Sequence, residues 1–276
     1  MKAKLSSRIL THVFLIAVAL ICVLPLVFSL KTSLEPARFA FQVPTWELHD
    51  PSLEHYFDVI NRQDLMLPTW FLNSLVVSFS IVALQLLVVS TAAYAFARLT
   101  FPGRNLIFFL FLFTIMVPTQ VTMIPVYTMI RSLKLLDSFL ALILPAMANV
   151  FGLFMIRQFF LGIPKELEEA AMIDGAGRWR TFFTVMVPQV KAGLVALGIL
   201  TFLGSWNDLF WPMIVMNKLE MRTLPVGLTV LNGTYATERA LVLAGAFFAI
   251  IPALILYGIF QKRILQGSML SGLGGR

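Results

Sequence analysis

The sequence predicts an all-α polytopic membrane protein of six transmembrane helices with both termini in the cytoplasm. Of its 276 residues, 59% are hydrophobic and only 13% charged, with a mean hydropathy of +0.86; soluble domains carry about a quarter charged residues. Six segments approach the roughly 20 mostly apolar residues that a bilayer span requires. The charged residues between those segments are divided unevenly between the two sides, as membrane topology demands.

The first apolar segment, 9–30, follows Lys2, Lys4 and Arg8 and so has the flanks of a secretory leader. It is longer than a leader's apolar region and no A-x-A-like cleavage site follows, so it is read as a retained span after a cytoplasmic N-terminus of residues 1–8. Residues 31–69 form a long loop with Pro36, Pro44, Pro51 and Pro68, and with Trp46, Tyr56 and Trp70 as aromatics expected at headgroup level. The second span is 70–97, and "RLTFPGRN" after it is a tight turn on Pro102 and Gly103. The third and fourth spans are 106–130 and 139–156, where Pro118, Pro125 and Pro145 predict kinked or interrupted helices. A polar loop, 157–191, leads to the fifth span, 192–216. The last external loop, 217–239, holds an Asn232-Gly233 turn signal, and the sixth span, 240–260, closes a transmembrane domain of residues 9–263 before a tail of 264–276.

An even number of spans puts both ends on one side. With that side cytoplasmic, it takes 13 of the 21 basic residues and four acidic ones, a net +9, whereas the outer side takes eight basic and nine acidic, a net −1. The overall charge of +7 therefore marks the inner side of a membrane rather than a nucleic-acid surface. Cys22 is the single cysteine, which rules out an internal disulfide. His12, His49 and His55 are too scattered for a metal site. No phosphate-binding G-x4-G-K-[ST] loop occurs, so the chain is not its own ATPase.

The polar loop is the most organised part. "KELEEAAMIDGAGRWRTFFTVMVPQV", starting at Lys165, carries four acidic and three basic side chains. Pro164 suits a first helical turn, Glu166, Glu168 and Glu169 suit the positive end of a helix dipole, and Gly175 supplies the stop, which predicts a helix over 164–174. Leu167, Ala170, Ala171 and Asp174 then share a narrow face with small residues at its centre. Such a face allows close approach of another surface, although periodicity alone equally permits a connector resting on the inner leaflet.

The order of residues separates those readings. Glu169-Ala170-Ala171, Gly175 after three residues, and Val185-x-Val187-Pro188 after nine more resemble the E-A-A-x3-G-x9-I-x-L-P signature of ABC importer permeases, with valine in place of isoleucine and leucine. "NSLVVSFSIVALQLLVVSTAAYAFAR", "MVPTQVTMIPVY", "LILPAMANVFGLFMIRQFF" and "FLGSWNDLFWPM" are similar to segments of carbohydrate-importer permeases of the maltose type, in their smaller six-span subunit. The likeness runs from the first span to Arg263.

The resemblance implies the type I importer permease fold and a binding-protein-dependent importer of a di- or oligosaccharide or a glycerol phosphate derivative, in the prokaryotic inner membrane. It implies a coupling helix that docks on a separate ATPase, with Leu167, Glu169, Ala170, Ala171, Asp174, Gly175 and Pro188 in that role. It also implies partners: a second permease subunit, two ATPase subunits that hold the ATP and Mg, and an extracytoplasmic solute-binding protein. The chain itself would be no enzyme and bind no cofactor or metal. Polar residues within spans are costly and face a cavity or a partner helix. Ser205, Trp206, Asn207, Asp208 and Trp211 in the fifth span, with Asn149, Gln120 and Thr119 elsewhere, are candidates for a solute pathway or for an interhelical hydrogen-bond network. The alternative function is an ion-gradient-driven secondary carrier with Asp208 as its coupling carboxylate.

Overall fold

A computed structural model describes residues 5–36, 46–47, 50–62 and 64–273, with side chains between 9 and 260. His49 and most of the Pro-rich part of the first loop lie outside the described residues. Every regular element among them is helical. Three helices are long and apolar enough to cross a bilayer alone: α1 from Ile9 of its Leu5–Ser33 span, α3 (Leu67–Arg98), and α14 (Arg239–Leu273) up to Phe260. Three bent pairs bring the number to six if each pair is one span.

The three bent pairs fall beside prolines, which remove helix hydrogen bonds. The predicted third span, 106–130, is broken into α4 (Arg104–Thr114) and α5 (Thr119–Ser132), which meet at 101° just before Pro118. Pro118 pushes the preceding residue out of the helical region, and the chain turns. Pro125 sits inside α5 without breaking it. α6 (Leu140–Ala146) and α7 (Val150–Leu161) are bent by 46° after Pro145, where Asn149 caps α7 by accepting the Gly152 N–H at 2.7 Å. The predicted fifth span ends early: α11 (Lys191–Trp206) stops, residues 207–209 are non-helical, and α12 (Phe210–Val215) follows. Asn232-Gly233 does not turn, because it lies in α13 (Leu224–Thr234). α14 continues through most of the predicted tail to Leu273.

The chain divides into two compact units. One comprises Met1–Pro68 and Gly227–Ile251. In it the Ser33 and Tyr56 hydroxyls are 2.7 Å apart, joining the end of α1 to α2 (Glu54–Asn61), and Trp46 sets its ring edge-on to Phe28. The Arg62 guanidinium lies 4.5 Å over the Tyr235 ring and 3.3 Å from Glu238, while the Tyr235 hydroxyl donates to Asp64. That bond holds the Asp64 carboxyl below its ordinary pKa and raises the Tyr235 phenol.

The other unit comprises Thr69–Val226 and Pro252–Arg276, and it contains two apolar clusters strung along α3. Toward the end of α3, Tyr94 and Phe96 pack with Phe108, Ile156, Phe160 and Phe182. Toward its start, Val77 and Ile81 pack with Ile130, Leu142, Val215 and Met216. α7 and α11 cross closely, since a Cβ on Gly193 would come within 2.8 Å of the Phe159 ring. Trp70, expected at the headgroups, is instead fully buried, with its indole N–H donating to the Leu219 carbonyl at 2.8 Å.

Candidate docking helix and solute cavity

The polar loop builds a short helix on a fixed base. α8 covers Glu166–Ile173, and Pro164 precedes it rather than opening it, because Lys165 occupies the N-cap position. Three carboxylates in the first turn face the positive end of the dipole. Its end is a Schellman motif: Gly175 N–H donates to Met172 O at 3.0 Å and Ala176 N–H to Ala171 O at 2.9 Å. Gly175 has φ +78°, which a side chain would strain.

One side of α8 is anchored. Glu168 Oε1 lies 3.2 Å from Arg98 Nε at the end of α3, with side-chain exposures of 13% and 6%. Arg98 also donates to the Ile163 carbonyl. Burial raises the Glu168 carboxyl above its ordinary pKa, and Arg98 and Lys165 only partly oppose that. Neighbouring arginines secure the same end of α3: Arg157 donates to the Phe96 carbonyl at 3.2 Å and lies over the Phe108 ring, and Arg104 donates to the Leu99 carbonyl. These cations complement the negative end of the α3 dipole.

The opposite side of α8 is free of the chain. Glu166, Glu169, Ala170 and Ile173 follow i, i+3, i+4, i+7 spacing and are all exposed, Ile173 to 86%. Leu167 and Asp174 are exposed beside them and Ala171 is half-buried. The outward face is thus centred on Ala170 and Ile173, one step round from the stripe expected of the sequence. Gly177 then opens a second segment, α9 (Arg178–Arg180), a π-helix over Thr181–Met186 and α10 (Val187–Gln189), bent by 78° from α11. Pro188 explains the wide turn, because it brings no N–H to the helix and its ring crowds the carbonyl four residues back. Thr181 and Thr184 hydroxyls bond to the carbonyls of Gly177 and Arg180.

Within the same unit lies a cavity of about 530 Å³, in the size range of small-molecule sites. Of the candidates, Ser205, Asp208, Trp211, Asn149 and Thr119 line it. Asp208 does so because the break at 207–209 turns it inward, where its Oδ1 is 3.4 Å from the Trp211 N–H. The Trp211 indole donates to the Ala141 carbonyl at 2.9 Å. The other candidates are elsewhere. Trp206 is buried against Phe202 and Phe71. Asn207 is exposed and donates to the Leu203 carbonyl, and Gln120 is exposed outside the cavity. Sequence reasoning missed Gln85, Thr201 and Thr223, all of which line it. Gln85 donates to Thr201 Oγ1 at 2.7 Å, and a lone glutamine in the middle of an apolar run was the signal available.

Among the described residues no group of His, Cys, Asp or Glu could hold a metal ion. Residues 87–266 match the family model described as binding-protein-dependent transport system inner membrane component. The chain is 36% identical over 261 residues to the arabinooligosaccharides transport system permease protein AraQ of Halalkalibacterium halodurans, covering 94% of this chain and 93% of that one. It is 33% identical over 267 residues to the sn-glycerol-3-phosphate transport system permease protein UgpE of Yersinia pestis bv. Antiqua, covering 94% and 95%. A crystal structure of a bacterial ABC transporter involved in the import of the acidic polysaccharide alginate contains a similar chain, with TM-score 0.84, 25% identity and coverage of 95% and 99%.

Proposed function

We infer the function from membership: the chain belongs to the binding-protein-dependent transport system inner membrane component family, and it is a permease subunit of an ATP-driven sugar importer. It is not an enzyme, since ATP hydrolysis belongs to a separate subunit. It is a multi-pass inner-membrane protein. Its termini are on the cytoplasmic side, the orientation that the charge distribution favours. A second permease subunit completes the pathway, two ATPase subunits bind the ATP and Mg, and a solute-binding protein delivers the cargo from outside.

The observation that carries the coupling role is α8. It is a helix anchored on one side by Glu168 and Arg98, with Glu166, Glu169, Ala170 and Ile173 left outward. A short rigid helix with a small residue at the centre of its outer face fits a cleft on a partner and transmits its displacement to α3 as a rigid-body movement. Glu169 supplies a charge for a basic group in that cleft, and the Gly175 cap fixes where the helix ends. Ser205, Asp208, Trp211 and Asn149 are the pathway residues.

Replacing Glu169 with Lys, or Gly175 with Asp, abolishes uptake while the protein remains at normal levels in the membrane. Undiminished uptake in both variants refutes the coupling role. Transport by this chain alone in ATP-free vesicles would identify an ion-gradient carrier instead.

A further inference from the structure

The segment between α8 and α11 carries two large aromatic side chains that this chain leaves uncovered. Trp179 is 69% exposed and Phe183 51%, and their rings stack with centroids 6.1 Å apart. The other side of the segment is fixed. Phe182, Met186 and Val190 are buried in the apolar cluster at the end of α3. The Phe182 ring lies 5.1 Å from that of Tyr94 and stands edge-on to Trp179 at 6.2 Å. The exposed pair is therefore held in place from beneath, and an apolar surface of this kind marks a contact with a membrane or a protein.

Direction, depth and charge choose the membrane. Arg178–Gln189 is bent by 78° from α11; where α11 crosses a bilayer at the roughly 20° tilt usual for spans, a segment at that angle lies close to the membrane plane. Tyr94, which Phe182 touches, is one turn before Arg98, and the same cluster contains Phe96 and Phe108, whose carbonyl and ring hold Arg157. Trp179 thus sits at the level where α3 ends and arginines collect, the headgroup depth that suits tryptophan. Residues 178–191 include Arg178, Arg180 and Lys191 and no carboxylate. All three cations are exposed, and among the described residues none of them is in an ion pair. The outward face of α8 has the opposite sign, with Glu166 and Glu169. A protein cleft basic enough to take Glu169 repels Arg178 and Arg180, whereas an anionic lipid surface attracts them.

We propose that Arg178–Gln189 is an interfacial segment resting on anionic phospholipids, with Trp179 and Phe183 at the acyl boundary and Arg178 and Arg180 on the lipid phosphates. This assignment requires that α11 crosses the bilayer, and it depends on neither the cargo nor the coupling role. The tryptophan ring has an apolar body for the acyl region and an N–H for the wet side. A guanidinium takes a phosphate through two parallel N–H donors. Because Phe182 and Met186 tie the segment to the end of α3, contact with the headgroups fixes the depth from which α8 projects.

The test uses the assembled complex in nanodiscs of phosphatidylcholine alone and of an equal mixture of phosphatidylcholine and phosphatidylglycerol. The difference in tryptophan fluorescence between wild type and Trp179→Phe isolates Trp179. That signal is quenched by lipids brominated just below the headgroup and is shielded from aqueous acrylamide. Amide exchange across 178–189 slows in the mixed discs. Each arginine near an anionic surface contributes a factor of about five, so Arg178→Gln with Arg180→Gln exchanges up to about 25-fold faster than wild type there and no faster in phosphatidylcholine. A Trp179 signal quenched by acrylamide and not by brominated lipid overturns the proposal, since the ring then faces water. A signal shielded from both also overturns it, since a partner subunit then covers the ring. So does exchange that ignores phosphatidylglycerol, or that responds to it equally in the double variant. Uptake is not measured, so failure of the importer reading leaves each of these outcomes unchanged.

Discussion

Arg98 and Glu168 make an asymmetric prediction. Replacing Arg98 with Met leaves the Glu168 carboxylate, 13% exposed, without its cation and the Ile163 carbonyl without its donor. Breaking a buried pair from one side typically costs about 3–5 kcal/mol. The carboxyl has a way to limit that cost, which is to take up a proton. From its ordinary pKa of 4.5, protonation at pH 7 costs about 1.4 kcal/mol per pH unit, or about 3.4 kcal/mol. The anchoring of α8 should therefore weaken by about 3 kcal/mol at pH 7, and amide exchange across 166–176 should accelerate by about two powers of ten. At pH 5 the carboxylate contribution falls to about 0.7 kcal/mol. Glu168→Gln behaves differently, because it removes the desolvated charge while Arg98 keeps its bond to the Ile163 carbonyl, so it costs under about 1 kcal/mol. The wild-type pH trend follows from the raised pKa of Glu168: its contribution to stability is full below 4.5 and is lost as pH rises through the higher folded value. Hydrogen exchange, corrected for intrinsic rates, measures all three proteins. Equal protection in Arg98→Met and wild type at pH 7, a deficit that does not shrink on acidification, or a Glu168→Gln cost as large as that of Arg98→Met refutes the reasoning.

Two further outcomes follow from positions with opposite burial. Ile173, 86% exposed on the outward face of α8, touches little of this chain, so Ile173→Asp should leave exchange protection of α8 unchanged while reducing binding-protein-stimulated ATP hydrolysis in the assembled complex at least tenfold. Gly193→Leu forces atoms to within 2.8 Å of the Phe159 ring and should destabilise the α7–α11 crossing by about 1–3 kcal/mol, read as a thermal midpoint several degrees lower in detergent.

The long apolar elements were legible because composition alone identifies them. α1, α3 and the membrane-spanning part of α14 start and end within a few residues of 9–30, 70–97 and 240–260. The interrupted elements were legible only as warnings. Pro118 and Pro145 signal a break, but the angles of 101° and 46° depend on packing that no local pattern encodes. The break at 207–209 has no proline before it, and its signal was the polar run Asn207-Asp208 within an apolar segment. The helix α8 was readable from its glutamates, alanines and glycine. Its outward face was displaced because Glu168 is drawn inward by Arg98, 70 residues earlier in the chain, and a pair so distant leaves no periodic trace. Thr223 was invisible for the same reason: Asn73 and Ser74 position it across about 150 residues of sequence.

These long-range pairs share one element. α3 runs unbroken for 32 residues, about 48 Å at 1.5 Å per residue. Arg98 near its end grips α8, Gln85 in its middle forms part of the cavity wall, and Asn73 and Ser74 near its start hold the backbone on either side of Thr223. The elements facing it at the cavity are interrupted: α4 and α5 at 115–118, α6 and α7 at 147–149, α11 and α12 at 207–209. An intact helix is stiff along its axis, whereas a chain freed of its hydrogen bonds at a break absorbs angular change over a few residues. On the coupling role proposed above, α3 is the unbroken element that joins α8 to the Gln85 wall and the Thr223 loop. The interrupted partners, rather than α3, are then the elements in which a change in the shape of the wall costs least, because their hydrogen-bond ladders are already open at the breaks.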